Sequence, residues 1–224
     1  MQPSKPKLRI PNSQFPNSNS QFRNLIFDFG GVICNIDIKL TQEAFISLGL
    51  KTFNTPKSIS ASSRLFEKIE TGVITPEQFR TELKQFFSNP VTDNQINNAW
   101  NALLLDIPAS RIRLLEQLRT HYRIFLLSNS NEIHYLKFLN NFTRDYGYRD
   151  FDALFEKAYF SFNIGLKKPA MEIFEFVVEN SNINPAETIF IDDTLVHVES
   201  AKQVGLHGYH LKISEGEQIT DLFD

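Results

Sequence analysis

Two patterns of apolar residues divide the chain. Leu25-Ile26-Phe27, Ile124-Phe125-Leu126-Leu127 and Ile189-Phe190-Ile191 are short, unbroken apolar runs bounded by polar residues. Runs of that length without alternation read as strands buried on both faces. Between them, apolar residues recur at helical spacing: Ile112, Leu115 and Leu118; Ile133, Leu136 and Leu139; Ile173, Phe174 and Val177; Val198 and Ala201. Ser110 is expected to cap the first of these helices, Asn131 to open the second and Gly205 to close the last. Ala158–Ser161 and Tyr209–Leu211 read as two further short strands. Strands alternating with helices predict an α/β fold, a doubly wound parallel sheet of Rossmann-like type covered on both faces. No internal repeat is visible.

Residues 39–110 follow a different pattern. Thr75-Pro76-Glu77-Gln78 supplies an N-cap, a proline at the first helical position and an acid in the first turn, with Phe79, Leu83 and Phe86 as the apolar stripe. Thr92-Asp93 opens another helix with Ile96, Trp100 and Leu103 along one side. Strand-like alternation is missing, so an inserted α-helical cap of roughly seventy residues is expected, close to the smallest usual domain size. The expected division is a disordered tail over 1–21, a core over 22–38 and 111–224, and the cap over 39–110. The tail is rich in Asn, Ser, Gln and Pro, and its Lys5, Lys7 and Arg9 are too sparse for a nucleic-acid arm.

Composition narrows the function classes. A formal charge of -3 gives no electrostatic case for a nucleic acid or a membrane surface. Cys34 is the one cysteine, which rules out an internal disulfide; its apolar neighbours predict a small buried hydrophobe. No apolar run is long enough to cross a bilayer and the first residues lack the apolar middle of a secretion signal, so a cytoplasmic location is the default expectation. Oligomeric state is not legible.

The chemistry gathers at strand ends. Asp28 follows the first strand and precedes Gly30-Gly31; Ser128-Asn129 ends the second; Asp192-Asp193 ends the fourth. In a parallel sheet these ends share one edge, where open α/β sheets bind ligands. Lys168, in Gly165-Leu166-Lys167-Lys168-Pro169, can reach that edge. Several carboxylates there would repel one another without a cation between them, and hard oxygen ligands suit Mg²⁺. A hydroxyl, an amide, a lysine and backbone N–H groups make a cradle for a phosphate, which suits phosphoryl transfer with Asp28 as nucleophile.

These four motifs, spread over residues 25–211, resemble those of the haloacid dehalogenase superfamily, in the branch with a helical cap inserted after the first motif. The resemblance implies a Mg²⁺-dependent phosphatase of small phosphate esters, with sugar phosphates slightly favoured and a cap that closes over the site. Residue by residue it implies that Asp28 forms an aspartyl-phosphate and ligates Mg²⁺ with the Gly30 carbonyl. Ser128 and the N–H of Asn129 would bind the phosphoryl group, and Lys168 would neutralise its charge. Asp193 would complete the metal shell; Asp192 would be either a further ligand through water or the partner of Lys168. A 2-haloacid dehalogenase is the nearest rival, although the Asp192-Asp193 pair has little use in a metal-free site; a phosphoglucomutase is a weaker rival. A non-catalytic ligand-binding member of the fold is the alternative from another class.

The departures from the family pattern are informative. Relatives carry an acid–base Asp two residues after the nucleophile, and here that place is Gly30. Losing such a group typically costs about 10²–10⁴-fold. The Asp-Phe-Gly-Gly-Val-Ile form with Ile36-Asp37 is similar to a glucose-1-phosphatase-like subgroup, and the epoxide hydrolase N-terminal phosphatase domain belongs to the same branch. An anomeric leaving oxygen needs less acid help, and Asp37 or a cap group is a candidate substitute. Ala170 stands where relatives often carry an acid, and His197 where they carry Asn or Asp; His197 is expected at the surface or behind the metal ligands. His134 is expected on a helix surface, Glu67 and Glu70 on a solvated helix face, and Trp100, Leu103 and Leu104 in a core.

Overall fold

The computed structural model describes Leu8, residues 22–50 and residues 64–223. Five strands make one parallel sheet in the order β3-β2-β1-β4-β5: β1 Asn24–Phe27, β2 Arg123–Ser128, β3 Lys157–Phe160, β4 Thr188–Asp192 and β5 His207–His210. Side chains of the three central strands alternate between faces. Leu25, Phe27, Ile124, Leu126, Ile189 and Ile191 join one apolar cluster, and Ile26, Phe125, Leu127 and Phe190 join the other. That double burial is why the runs read as unbroken apolar stretches. Helices α5 (Ala109–Leu118) and α6 (Glu132–Tyr146) cover the first face; α8 (Met171–Ser181) and α9 (Leu195–Gln203) cover the second. The chain winds outward from β1 to β3 on one side, then returns to β4 beside β1. The strand order therefore reverses next to β1, where Asp28 leaves the sheet.

The segment between β1 and α5 is helical, with α1 Ile38–Ser47, α2 over 64–70, α3 Pro76–Lys84 and α4 Asp93–Trp100. Thr75 and Thr92 each form a capping box with the glutamine three residues on, as Ser/Thr-x-x-Gln at a helix start leads one to expect. Phe45, Leu65, Ile69, Phe79, Leu83, Phe87, Ile96 and Trp100 form a third cluster, separate from those of the sheet. Chain enters and leaves this cap through one short antiparallel ribbon, in which Ile36 bridges Leu104. Asn35 N–H donates to Asp106 O at 2.9 Å, Leu105 N–H to Asn35 O at 3.0 Å and Asp37 N–H to Leu103 O at 2.9 Å.

Several local expectations need correction. Pro108, not Ser110, stands at the start of α5, which places Ser110 inside its first turn. Ser161 opens a one-turn helix, α7 (Ser161–Ile164), instead of ending β3, and β5 begins two residues earlier than Tyr209. Of the tail over 1–21 only Leu8 lies among the described residues, where it bridges Phe223 antiparallel.

Candidate active site

Asp28 sits just past β1, where its N–H still donates to Ile191 O of β4 at 2.9 Å. The chain then turns tightly, with Ile33 and Cys34 N–H both donating to Phe29 O. Gly31 adopts φ +78, and a Cβ there would lie 2.3 Å from Asp193 Oδ2, so the approach of this turn to Asp193 demands glycine. Asp193 in turn follows β4, whose last residue Asp192 is fully buried.

Lys168 is the hub. Its ammonium donates to Asp28 Oδ1 at 2.6 Å, to Asp192 Oδ2 at 2.7 Å and to Leu127 O at 2.9 Å, so all three donors are used. A lysine only 1% exposed is tolerated because of this complete satisfaction. The face of Phe190 lies 5.3 Å away. Burial opposes the charge on Lys168, but Asp28 and Asp192 outweigh it and raise its pKa. Burial also works against the Asp192 carboxylate, yet Lys168 and the His197 ring hold its pKa down to about 2. His197 Nδ1 lies 3.1 and 3.2 Å from the two Asp192 oxygens, and Thr194 N–H donates to Asp192 Oδ1 at 2.8 Å. Asp192 is therefore paired with Lys168, and His197 stands behind Asp192. For Asp28 burial is the largest influence and lifts the carboxyl to about 7, against the pull of Lys168 and with the push of Asp192 and Asp193. Burial, then Asp192, raises Asp193 as well.

Asp28, Asp192 and Asp193 each offer a carboxylate oxygen within 4.8 Å of the others. Three acids this close, two of them held above their ordinary range, fit a divalent cation that takes hard oxygen donors. Gly30, whose carbonyl the family pattern assigns to the metal, lies in the same turn.

The residues expected to form a phosphate cradle are brought together by three segments of the chain. Ser128 ends β2 and is 2% exposed. Asn129 ties this loop to the lysine loop: its Nδ2 donates to Lys168 O and its Oδ1 accepts from Lys168 N–H, each at 2.9 Å. Ser161 ties it to β3, its Oγ accepting from Ser130 N–H at 2.9 Å and donating to Ser130 O at 3.0 Å. Asn131 caps α6 by accepting from His134 N–H at 3.1 Å, so the loop runs into the N-terminus of a 15-residue helix that favours an anion. Sequence reasoning did not single out Ser130 or Ser161, since a lone serine after a strand carries no distinctive spacing.

The seam to the cap corrects two readings. His134 is buried, not on a surface: Nδ1 lies 2.8 Å from Asn101 Oδ1, and the ring stacks on Trp100 with centroids 4.9 Å apart at 17°. The cap covers that turn of α6, and burial drives the imidazole pKa down to about 3. Glu70 is not merely solvated, because Lys167 Nζ meets its Oε2 at 2.5 Å; Glu67 is exposed as expected. Asp37 is the N-cap of α1, with Oδ1 accepting from Lys39 N–H at 2.9 Å, so its carboxylate already has a structural task. Cys34 is buried as expected, and burial pushes its thiol up to about 12.

An acid-rich, lysine-bridged edge of a doubly wound sheet beside a helical cap fits metal-assisted hydrolysis. The haloacid dehalogenase-like hydrolase family model matches residues 22–205, and the chain belongs to that family. It is 29% identical over 187 residues to the D-ribitol-5-phosphate phosphatase of Bacteroides thetaiotaomicron, spanning 84% of this chain and 90% of that protein. A sesquiterpene phosphatase of Aspergillus oryzae is 28% identical over 194 residues, 85% of this chain and 90% of its own. Among solved structures, a HAD family enzyme from B. thetaiotaomicron in complex with magnesium and inorganic phosphate is 36% identical, with a TM-score of 0.75 over 85% of this chain and 94% of that one.

Proposed function

We propose that this enzyme, a Mg²⁺-dependent phosphatase of small phosphate esters, works through an aspartyl-phosphate formed on Asp28. The observation that carries the mechanism is the 2.6 Å bond from Lys168 Nζ to Asp28 Oδ1, beside a three-carboxylate cluster. Lys168 grips one oxygen and leaves Oδ2 to attack phosphorus. The new P–O bond forms as the ester P–O bond breaks, and the leaving oxygen takes the electron pair. Ser128 and the backbone at the start of α6 hold the phosphoryl oxygens, while Lys168 stays within reach of the charge that gathers on them. Water then hydrolyses the aspartyl-phosphate, releases phosphate and restores Asp28. Mg²⁺ held by Asp28, Asp193 and the Gly30 carbonyl, with Asp192 close by, supplies positive charge at the transferring group and keeps Asp28 ionised.

The substrate class we favour is a sugar or polyol phosphate, supported by the likeness to a ribitol-phosphate phosphatase across nearly the whole of both chains. The cap suits a small molecule rather than a folded protein, because it shelters the edge from bulk solvent. A cytoplasmic location without nucleic-acid or membrane partners completes the reading. It is supported by the modest negative charge, and among the described residues no helix is long and apolar enough to cross a membrane.

Phosphate release from p-nitrophenyl phosphate, glucose 1-phosphate and ribitol 5-phosphate, with Mg²⁺ or EDTA, tests the proposal. Turnover is expected to need Mg²⁺ and to fall by at least about 10³-fold in Asp28→Asn, in line with loss of an essential nucleophile. Turnover untouched by Asp28→Asn would overturn the assigned mechanism.

A further inference from the structure

Asp192 and Asp193 are neighbours in the chain yet face different partners, and β5 helps to keep them apart. His210, the last residue of β5, pairs in parallel register with Asp192, the last of β4. Tyr209 joins the first apolar cluster, so by alternation His210 stands on the opposite face, where α9 begins just beyond Asp193. Its Nε2 lies 3.0 Å from Asp193 O. A carbonyl only accepts, so this nitrogen carries a proton and the ring donates from it.

That bond closes a clamp. The Asp193 carbonyl and the Thr194 N–H belong to one planar peptide group. Its oxygen is held by His210, and its N–H donates to Asp192 Oδ1 at 2.8 Å. The preceding peptide is held too, because Leu211 N–H donates to Asp192 O at 2.9 Å. Asp193 therefore hangs between two peptide planes that are both fixed to their surroundings, which leaves its Cα little freedom to turn. Its carboxylate is delivered against the turn after Asp28, with Oδ2 in the space that a Cβ on Gly31 would need. Leu211 contributes backbone and Asp192 belongs to the acid cluster itself. The tie that a side-chain change outside the cluster can cut is the one from His210.

We propose that His210 is a positioning residue for the cation site: by holding the Asp193–Thr194 peptide it aims the Asp193 carboxylate at an ion shared with Asp28. This rests on the phosphatase reading above, in which Asp193 is a Mg²⁺ ligand. His210 is not itself a ligand in this scheme. It acts through the carbonyl of Asp193, as bonded partners behind a ligand fix the direction in which that ligand points. Loss of the donor lets the peptide turn, and the carboxylate then meets Mg²⁺ in fewer of its orientations. The cost falls on metal affinity, and saturating Mg²⁺ restores the chemical step.

The test is Mg²⁺ binding, measured by titration calorimetry on the substrate-free protein at fixed pH, for wild type, His210→Phe, His210→Gln and His210→Asn. Phe keeps a ring without a donor. Gln carries an N–H as many bonds from the backbone as Nε2, and Asn stops one bond short. His210→Phe and His210→Asn are expected to bind Mg²⁺ about tenfold more weakly or worse, and His210→Gln to stay close to wild type. With p-nitrophenyl phosphate, His210→Phe is expected to need correspondingly more Mg²⁺ for half-maximal rate and to reach a kcat near that of wild type. Melts in EDTA establish that each variant is folded; should His210→Phe not fold, the contrast of Gln with Asn carries the same comparison. A purely structural role would lower the EDTA melts and leave Mg²⁺ affinity alone, so wild-type affinity in His210→Phe and His210→Asn would overturn the inference. A folded His210→Gln as weak as His210→Asn, or a kcat that stays low at saturating Mg²⁺, would overturn it too. Wild-type protein that binds no Mg²⁺, or turnover untouched by Asp28→Asn, would instead sink the phosphatase reading on which the inference stands.

Discussion

At the catalytic edge, three charged groups are packed out of water and two half-buried polar groups support them, and every strong interaction is electrostatic: Lys168 to Asp28 and Asp192, His197 and Thr194 to Asp192. In the cap, the third cluster is organised by rings. Phe66 stacks on Trp100 at 4.9 Å, Trp100 stacks on His134 at 4.9 Å, and Phe45 and Phe79 lean against the same indole. The described residues of the two regions meet at the His134–Asn101 bond, the Trp100–His134 stack, the Lys167–Glu70 pair, the approach of Gly72 to Phe162 O and Ile133, which reaches from α6 into the cap cluster. The difference teaches that position and shelter are supplied separately. The edge holds its acids through a network with little slack, whereas the cap is an independent small core resting on it.

The sharpest way to break that contrast is Lys168→Ala. Removing the ammonium leaves Asp28 and Asp192 buried and facing each other, which is expected to cost ~3–5 kcal/mol along with essentially all activity. Thermal melts should show the loss, and Mg²⁺ should recover part of it; a melt equal to wild type would mean the hub is not what stabilises the edge. Trp100→Ala is the matching lesion in the cap, expected to cost about 3 kcal/mol through cavity formation. Hydrogen exchange should then speed up over residues 76–100 while β1, β2 and β4 stay protected. Equal loosening of the sheet would show that the two cores are one.

The pH dependence sharpens the contrast on the electrostatic side. Asp28 is lifted from its ordinary 3.8 to about 7, so the metal-free folded protein holds a proton there that the unfolded chain gives up. Asp28 therefore costs stability as pH rises from 3.8 through 7, and cation binding must displace that proton. Below pH 7, Mg²⁺ affinity is expected to fall about tenfold for each pH unit, and calorimetry in buffers of different ionisation heat should register proton release. An affinity flat from pH 5.5 to 7 would contradict it. The smallest effect is expected at the cap's helix starts. Thr75→Ala or Thr92→Ala removes one half of a capping box and should lower stability by ~1 kcal/mol without touching the edge, read as a small fall in melting temperature.

Much of this was legible because strand ends and helix starts are local signals. Asp28, Ser128, Asn129, Lys168, Asp192 and Asp193 all lie at the carboxyl edge because each follows or faces the end of an apolar run. Thr75 and Thr92 announce themselves by the glutamine one turn on. What stayed hidden depends on which faces meet. His134 reads as a surface residue because its helix is amphipathic toward the sheet, and nothing within α6 says that Trp100 will cover its other side. Glu70 and Lys167 are 97 residues apart and carry no mark of pairing. The competition between Ser110 and Pro108 for the start of α5 is likewise settled outside the helix, since Arg111 donates from its first turn to Ile33 O at 3.1 Å.

The ribbon of Asn35–Asp37 against Leu103–Asp106 has a consequence for how such enzymes could be rebuilt. Because both crossings are neighbours in one two-stranded ladder, the chain passes between floor and roof at a single place, with its two strands about 5 Å apart. It is a cassette. A roof from another enzyme could be spliced in at that point without re-threading the sheet, and the splice site becomes a design choice. A cut before Ile36 lets the incoming roof supply the side chain that packs beside Gly30; a cut after Asp37 keeps that side chain with the old floor. Chemistry and substrate pocket, usually exchanged together, could in this protein be parted by moving the cut two residues.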